Sequence, residues 1–173
     1  MSYITYSNKI QYDIIQQMLK NDDLLKLLYY DVESPLSCDK LTSSQKRTLL
    51  KESKEVDVFQ RIFTTRFDPD YILTSKNQIR IFKKYKQQYD NPYLVKVYFF
   101  FEIMVYRENE IIEDGLRSEL ILNELIKSIK GLQAIGQLTF SKDTIEPITF
   151  GKGFSGFVTY ASVCVLKEEN IMQ

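Results

Sequence analysis

The stretch YLVKVYFFFEIMVYR, residues 93–107, decides the fold. Its odd-numbered positions up to Val105 are all apolar: Tyr93, Val95, Val97, Phe99, Phe101, Ile103 and Val105. The even positions are mixed: Leu94, Lys96, Tyr98, Phe100, Glu102, Met104 and Tyr106. A period of two in aromatic and β-branched residues marks a strand, because successive side chains point to opposite faces. At about 3.3 Å per residue this strand would approach ~50 Å, longer than a usual strand. It is expected to be central, to project beyond its own domain and to be paired or covered there. A projecting strand suits assembly with copies of itself. The odd side is the expected core face, and the even side, with Lys96, Tyr98, Phe100, Glu102 and Tyr106, is the candidate contact between subunits.

The strongest helix follows this strand. Asp114 is a good N-cap for residues 115–130. The apolar stripe is Leu116, Leu120, Ile121, Leu122, Leu125, Ile126 and Ile129, wide enough to pack on the odd side of the strand. Lys127 and Lys130 complement the dipole in the last turn, and Gly131 is the expected residue just past the end. Arg117, in the second turn, reads as a surface residue and a candidate partner contact.

Upstream, residues 8–20 read as an amphipathic helix with Ser7 as N-cap. Residues 24–30 form a second helix, capped within 21–23. Thr42 and Gln45 make a capping box for a short surface helix to about residue 53. Residues 34–55 are a candidate insertion. Residues 56–67 alternate Val56, Val58 and Ile62 against Asp57, Arg61 and Thr65, which predicts a strand ended by an Asp68-Pro69-Asp70 turn. Residues 71–91 read as a hairpin or a mobile loop.

Downstream, residues 133–140 and 148–150 predict strands. Gly151, Gly153 and Gly156 predict a tight turn and bulge. Residues 157–166 predict a last strand, apolar on both faces and so central or covered on both sides. Residues 167–173 form a polar tail. The order predicts one α+β domain over residues 1–173, an antiparallel or mixed sheet with helices packed on one face.

Composition narrows the function. The 173 residues are 44% apolar and 27% charged, ordinary for a globular chain. Lys plus Arg and Asp plus Glu both count 23, and there is no histidine. Zero net charge argues against a dedicated nucleic-acid binder, without excluding a local patch. Without histidine, Ser-His and Cys-His mechanisms cannot be built from this chain. The two cysteines, Cys38 and Cys164, sit in no motif and are expected to be reduced, with one disulfide as the other option. The polar start argues against a signal peptide, and no run reaches the ~20 apolar residues of a membrane span.

Motifs for chemistry are thin. Pro69-Asp70 lacks the later acid–x–lysine triplet of a divided-acid nuclease and reads as a turn. The glycines at 151, 153 and 156 are too closely spaced for a phosphate loop. Glu108, Glu110, Glu113 and Asp114 could meet a divalent cation or a basic partner, but lack the spacing of a calcium loop, so a solvated connection is the simpler reading. The basic aromatic stretch 76–89 is the best nucleic-acid candidate, with Lys76, Arg80, Lys83, Lys84 and Lys86 to meet phosphate and rings to stack on bases. Its plain alternative is an exposed loop whose rings dock on the core.

Four pieces together resemble a known pattern. They are the N-terminal helix pair; Arg61-Ile62-Phe63 leading to Phe67-Asp68-Pro69-Asp70; the long strand, its acidic connection and Asp114-Gly115-Leu116-Arg117-Ser118-Glu119; and the segment from Gly131 to Leu138 leading to Phe154-Ser155-Gly156-Phe157. The order looks like the tail-terminator and neck proteins that join head to tail in tailed bacteriophages. The resemblance implies a non-enzymatic virion protein, made in the bacterial host cytoplasm, with no cofactor, metal or membrane contact. It implies a ring, usually a hexamer, capping the tail-tube protein and docking to connector proteins. DNA passes through the lumen without sequence-specific binding.

A head-completion or adaptor role is the nearby alternative. A nucleic-acid module using residues 76–89 would show salt-dependent binding lost with Lys83, Lys84 and Lys86. A carboxylate metal enzyme using Asp68, Asp70 and Glu102 or Glu108 would show divalent-dependent hydrolysis.

Overall fold

The computed structural model describes residues 3–50, 60–66, 76–87, 91, 93–130, 132–134, 136–140, 144–151 and 153–166. The chain begins with helices α1 (Tyr3–Met18), α2 (Asp22–Tyr29) and α3 (Ser43–Thr48). Strands β1 (Ile62–Phe63), β2 (Gln78–Gln87) and β3 (Leu94–Tyr106) follow. A small ribbon, β4 (Ile111–Ile112) with β5 (Gly115–Leu116), leads into helix α4 (Arg117–Ile129). A second ribbon, β6 (Gln133–Ala134) with β7 (Gly136–Gln137), precedes β8 (Thr139–Phe140), β9 (Glu146–Phe150) and β10 (Phe154–Leu166).

Six strands share one mixed sheet in the order β1-β2-β3-β10-β8, with β9 also on β10. Only β1 with β2 is parallel. The α+β expectation holds. So does the central place of β3, which is paired with β10 along its whole length, from Leu94↔Leu166 to Tyr106↔Phe154. On its other side it is paired with β2 from Val95 to Met104. It does not run beyond its partners, however. Residues 154–166 supply a strand of equal length, apolar on both faces, so its backbone groups are matched inside the chain. Within the stretch 71–91, expected as a hairpin or a mobile loop, residues 78–87 are a full strand of that sheet, and residues 71–75 and 88–90 lie outside the described residues.

Pairing this tight constrains one glycine. Gly156 stands opposite Met104 with φ +152°. A Cβ there would lie 2.0 Å from the Ile103 carbonyl oxygen. Only a residue without a side chain lets β10 approach β3 so closely.

The odd side of β3 is the core face. Val97, Phe99, Phe101, Ile103 and Val105 are fully buried. Ile79 and Ile81 of β2 and Ala161, Val163 and Val165 of β10 join them in one apolar cluster. The helices close it with Ile10, Ile14 and Met18 of α1, Leu24, Leu25, Leu27 and Leu28 of α2, and Ile121, Leu125 and Ile129 of α4. Leu41 and Leu49, within the candidate insertion, are buried in the same cluster.

Helix ends follow the sequence in part. The Asn21 side chain accepts a hydrogen bond from the Leu24 amide and caps α2. Thr42 and Gln45 form the expected capping box of α3, though the helix stops at Thr48. There Leu49 turns inward, and its carbonyl accepts from the Arg61 and Ile62 amides, both at 3.0 Å. The start of α1 differs: it begins at Tyr3, and Ser7 lies inside it, buried, donating to the Ile4 carbonyl at 2.9 Å. A serine hydroxyl satisfied by its own preceding turn needs no cap position.

The start of α4 also differs. Asp114 is no cap, because residues 113–114 form the turn between β4 and β5, and Gly115 takes φ +126°. Acid followed by glycine favours a tight hairpin turn over a cap. Leu116 therefore falls in β5 and is exposed, and α4 begins at Arg117. The expected strand 133–140 is split between the β6–β7 ribbon and β8. Val56, Val58, Asp68, Pro69, Asp70, Gly131 and the polar tail lie outside the described residues.

Candidate interaction surface

The even side of the sheet carries no helix layer in the described structure. Pairing registers place its side chains in rungs. Lys86, Lys96 and Cys164 share the first, Lys84, Tyr98 and Ser162 the second, and Phe82, Phe100 and Tyr160 the third. Arg80, Glu102 and Val158 form the fourth, and Gln78, Met104 and Gly156 the fifth.

This face divides into two halves. The half toward Tyr106 is closed. Met104, Phe150 and Phe154 form their own buried cluster, and Tyr106 packs edge-on to Phe154 with centroids 5.4 Å apart. From the edge strand β1 and just beyond it, Phe63 and Arg66 reach over Arg80 and Glu102. The Arg80 guanidinium sits 4.4 Å from the Phe63 ring centroid and donates to the Arg66 carbonyl at 3.2 Å. Arg66 in turn reaches the Glu102 carboxylate at 3.9 Å.

The other half is aromatic and carries no covering element among the described residues beyond the Arg66 guanidinium, 6.0 Å from the Phe82 centroid at its border. Phe82 stacks on Phe100 with centroids 5.3 Å apart and planes 7° from parallel. Tyr160 packs against Phe100 at 5.3 Å and against Tyr98 at 5.4 Å. All four rings are half-buried. The Lys84 ammonium lies 4.9 Å from the Phe100 centroid, and the Lys96 ammonium 5.3 Å from that of Tyr98. Such cation–ring pairs are favourable because a ring face is electronegative.

The candidate residues from the sequence thus regroup. Lys96, Tyr98 and Phe100 share the open half with Lys84 and Lys86. Glu102 and Tyr106 belong to the closed half, and so does Arg80, only 5% exposed. Lys83 falls on the other side of β2, where it bonds Asn8 of α1. Tyr85, beside it, shares a hydrogen bond with the Ser7 hydroxyl at 2.9 Å. Strand alternation explains this sorting: residues 80, 82, 84 and 86 face one way, 83 and 85 the other. Lys76 stands just ahead of β2, half-buried.

Arg117 is the clear correction. It is buried, 1% exposed, not a surface contact. Its Nη1 donates to the carbonyls of Leu27 at 3.1 Å and Tyr30 at 2.6 Å. Its Nη2 donates to Val32 at 2.6 Å, and its Nε to Asn109 at 2.8 Å. It thereby caps the C-terminal end of α2, where carbonyls are left over and a cation is favoured. Burial pushes its guanidinium below the usual value, while Asp31 pulls it back up.

Arg61, read from the sequence as the polar side of a strand, is buried too. It pairs with Asp31 at 3.0 Å, and Asp31 also accepts from Asn77 at 3.2 Å. Two buried arginines bind the end of α2 to β2 and α4. Local periodicity carries no signal for this, because the carbonyls they serve are far away in the chain.

For chemistry, no group of three or more Cys, Asp or Glu side chains is placed to hold a metal ion among the described residues. Glu108, Glu113 and Asp114 are exposed, and Glu110 bonds Ser118 at the start of α4. Cys38 and Cys164 are not joined in a disulfide. No helix among the described residues is long and apolar enough to cross a membrane.

No curated protein matches the chain. A family model does match, over residues 21–163, a span that starts after α1 and takes in the whole of β3 and most of β10. The chain belongs to the YomW family, a family derived from phage.

Proposed function

We propose that this phage-associated protein is a non-enzymatic virion component of the head–tail junction. Copies of it form a ring, a hexamer in the terminator role, between the tail-tube protein and the connector, with DNA passing through the lumen. The observation that carries the reading is the one-sided sheet. Helices back one face, and half of the other face is left aromatic, cationic and uncovered among the described residues. An organised apolar surface with charges along it marks a contact surface rather than plain solvent exposure. A ring would turn this face toward what it encloses. Head completion, in the neighbouring position, uses the same surface in the same way.

Two measurements test this reading together. Mass spectrometry and cryo-electron microscopy of purified particles are expected to find the protein as a ring at the junction. Light scattering of the isolated protein at high concentration is expected to show a closed oligomer. A strictly monomeric protein that is also absent from particles would refute the reading.

A further inference from the structure

We infer that the open half of the sheet docks a single-stranded nucleic acid, with phosphates on Lys84, Lys86 and Lys96 and bases on Tyr98, Phe100 and Tyr160. This goes beyond passive passage of DNA through a ring, and it holds for the isolated subunit as well.

The first observation is electrostatic. Lys86 and Lys96 are direct partners in the β2–β3 register. Like charges set opposite each other on antiparallel strands repel, and the sheet is destabilised by them. Lys84 stands on the next rung of the same face. None of the three lysines is in an ion pair among the described residues. Among the described residues no carboxylate shares their rungs; Glu102, on the fourth rung, is buried and faces Arg66. A chain of zero net charge has here concentrated cations against an internal cost. A polyanion laid along the strands would relieve that repulsion.

The second observation is the set of rings between the lysines. Lys84 and Lys96 lie over Phe100 and Tyr98, the faces a base would cover. At an exposed site a cation–ring pair is worth less than a stacked base. Exchange is therefore favourable: a base takes the ring, and the displaced ammonium moves onto the adjacent phosphate. Rings alternating with lysines on a sheet are the common design for single strands, since every base presents a flat face whatever its sequence. A second copy is the weaker occupant. Symmetric pairing of this face would bring lysines against lysines.

Fluorescence anisotropy with a labelled twenty-nucleotide oligothymidine tests the inference. Three phosphate contacts predict a log–log salt slope of about −2, or roughly a twenty-fold loss of affinity between 50 and 200 mM salt. The Lys84→Ala/Lys86→Ala/Lys96→Ala variant is expected to lose binding while keeping its thermal unfolding. Phe100→Leu, which keeps an apolar side chain, is expected to weaken binding about ten-fold through lost stacking. Lys9→Ala, on the helix side, is expected to bind as the parent does. The inference is overturned if the oligonucleotide does not bind at 50 mM salt. Binding unchanged in the triple variant would also overturn it, as would a duplex binding equally well with Phe100→Leu silent. If the triple variant instead changes the mass seen by light scattering, the face joins two copies and the inference fails, while the ring reading survives.

Discussion

Phe100 and Phe101 are neighbours in β3 and could not be used more differently. Phe101 is fully buried among the helices, whereas Phe100 is half-buried beneath a lysine on the face that no helix covers among the described residues. Strand alternation alone puts them on opposite sides. What lies over each side then decides its role. The odd face has three helices to fill it and becomes core. Among the described residues, the even face has only residues 63–66 reaching over one half, and no element covers the other half. A strand that is apolar on both sides need not be buried on both sides.

The sharpest way to break this contrast is to truncate both rings in turn. Phe101→Ala is expected to destabilise by about 3–5 kcal/mol, the cost of a large cavity in a packed core. Urea unfolding checks it. Arg117→Leu comes next, with a loss of about 3 kcal/mol, because several buried carbonyls lose their donor at once. It is expected to show as early melting of α2 in hydrogen exchange. Gly156→Ala is expected to cost about 3 kcal/mol, since its Cβ would meet the Ile103 carbonyl at 2.0 Å and its φ of +152° disfavours a side chain. An unchanged midpoint there would mean that β10 and β3 are less closely apposed than described. Phe100→Ala is expected to cost only about 1 kcal/mol, in keeping with a ring that is half-buried. A loss as large as that of Phe101→Ala would remove the contrast.

The smallest effect concerns acid. Asp22 accepts from Lys40 and Lys46, each at 2.8 Å, and the two ammonium groups lower its carboxyl from the ordinary 3.8 to about 2. The unfolded chain takes up this proton first as pH falls. The stabilisation is therefore complete above about pH 4 and is lost as pH drops through 2. The contacts are near the surface, so screening keeps the gain small. Asp22→Asn is expected to flatten acid unfolding only between pH 4 and 2, with no change at pH 7 beyond that of losing a surface ion pair.

Much of the fold was legible because it rests on local pattern. The alternation of residues 93–107 gave the central strand and its core face, and the stripe of residues 120–129 gave α4. The caps at Asn21 and Thr42 were readable because a cap satisfies amides within three residues. What was missed depends on distance. Asp114 reads as a cap because the local pattern cannot see that β4 and β5 claim it as a turn. Arg117 reads as a surface residue and Arg61 as the polar side of a strand because their partners lie across the chain. The surface was half legible. In the sequence, the lysines of residues 76–89 and the even side of residues 93–107 stand out as separate features with separate roles. Only the β2–β3 register shows that Lys84 and Lys86 stand beside Lys96, Tyr98 and Phe100 on one face.

Cys164 offers the most direct test of the claim that this face is open and takes a partner. It is exposed on the rung it shares with Lys86 and Lys96. The measurement is its rate of alkylation by iodoacetamide, followed by mass spectrometry, with and without the oligothymidine. Rapid modification is expected in the isolated protein and marked slowing when the oligonucleotide is bound, with half-buried Cys38 unaffected by its addition. A thiol already shielded in the isolated protein, or one modified at the same rate in both, would contradict that claim.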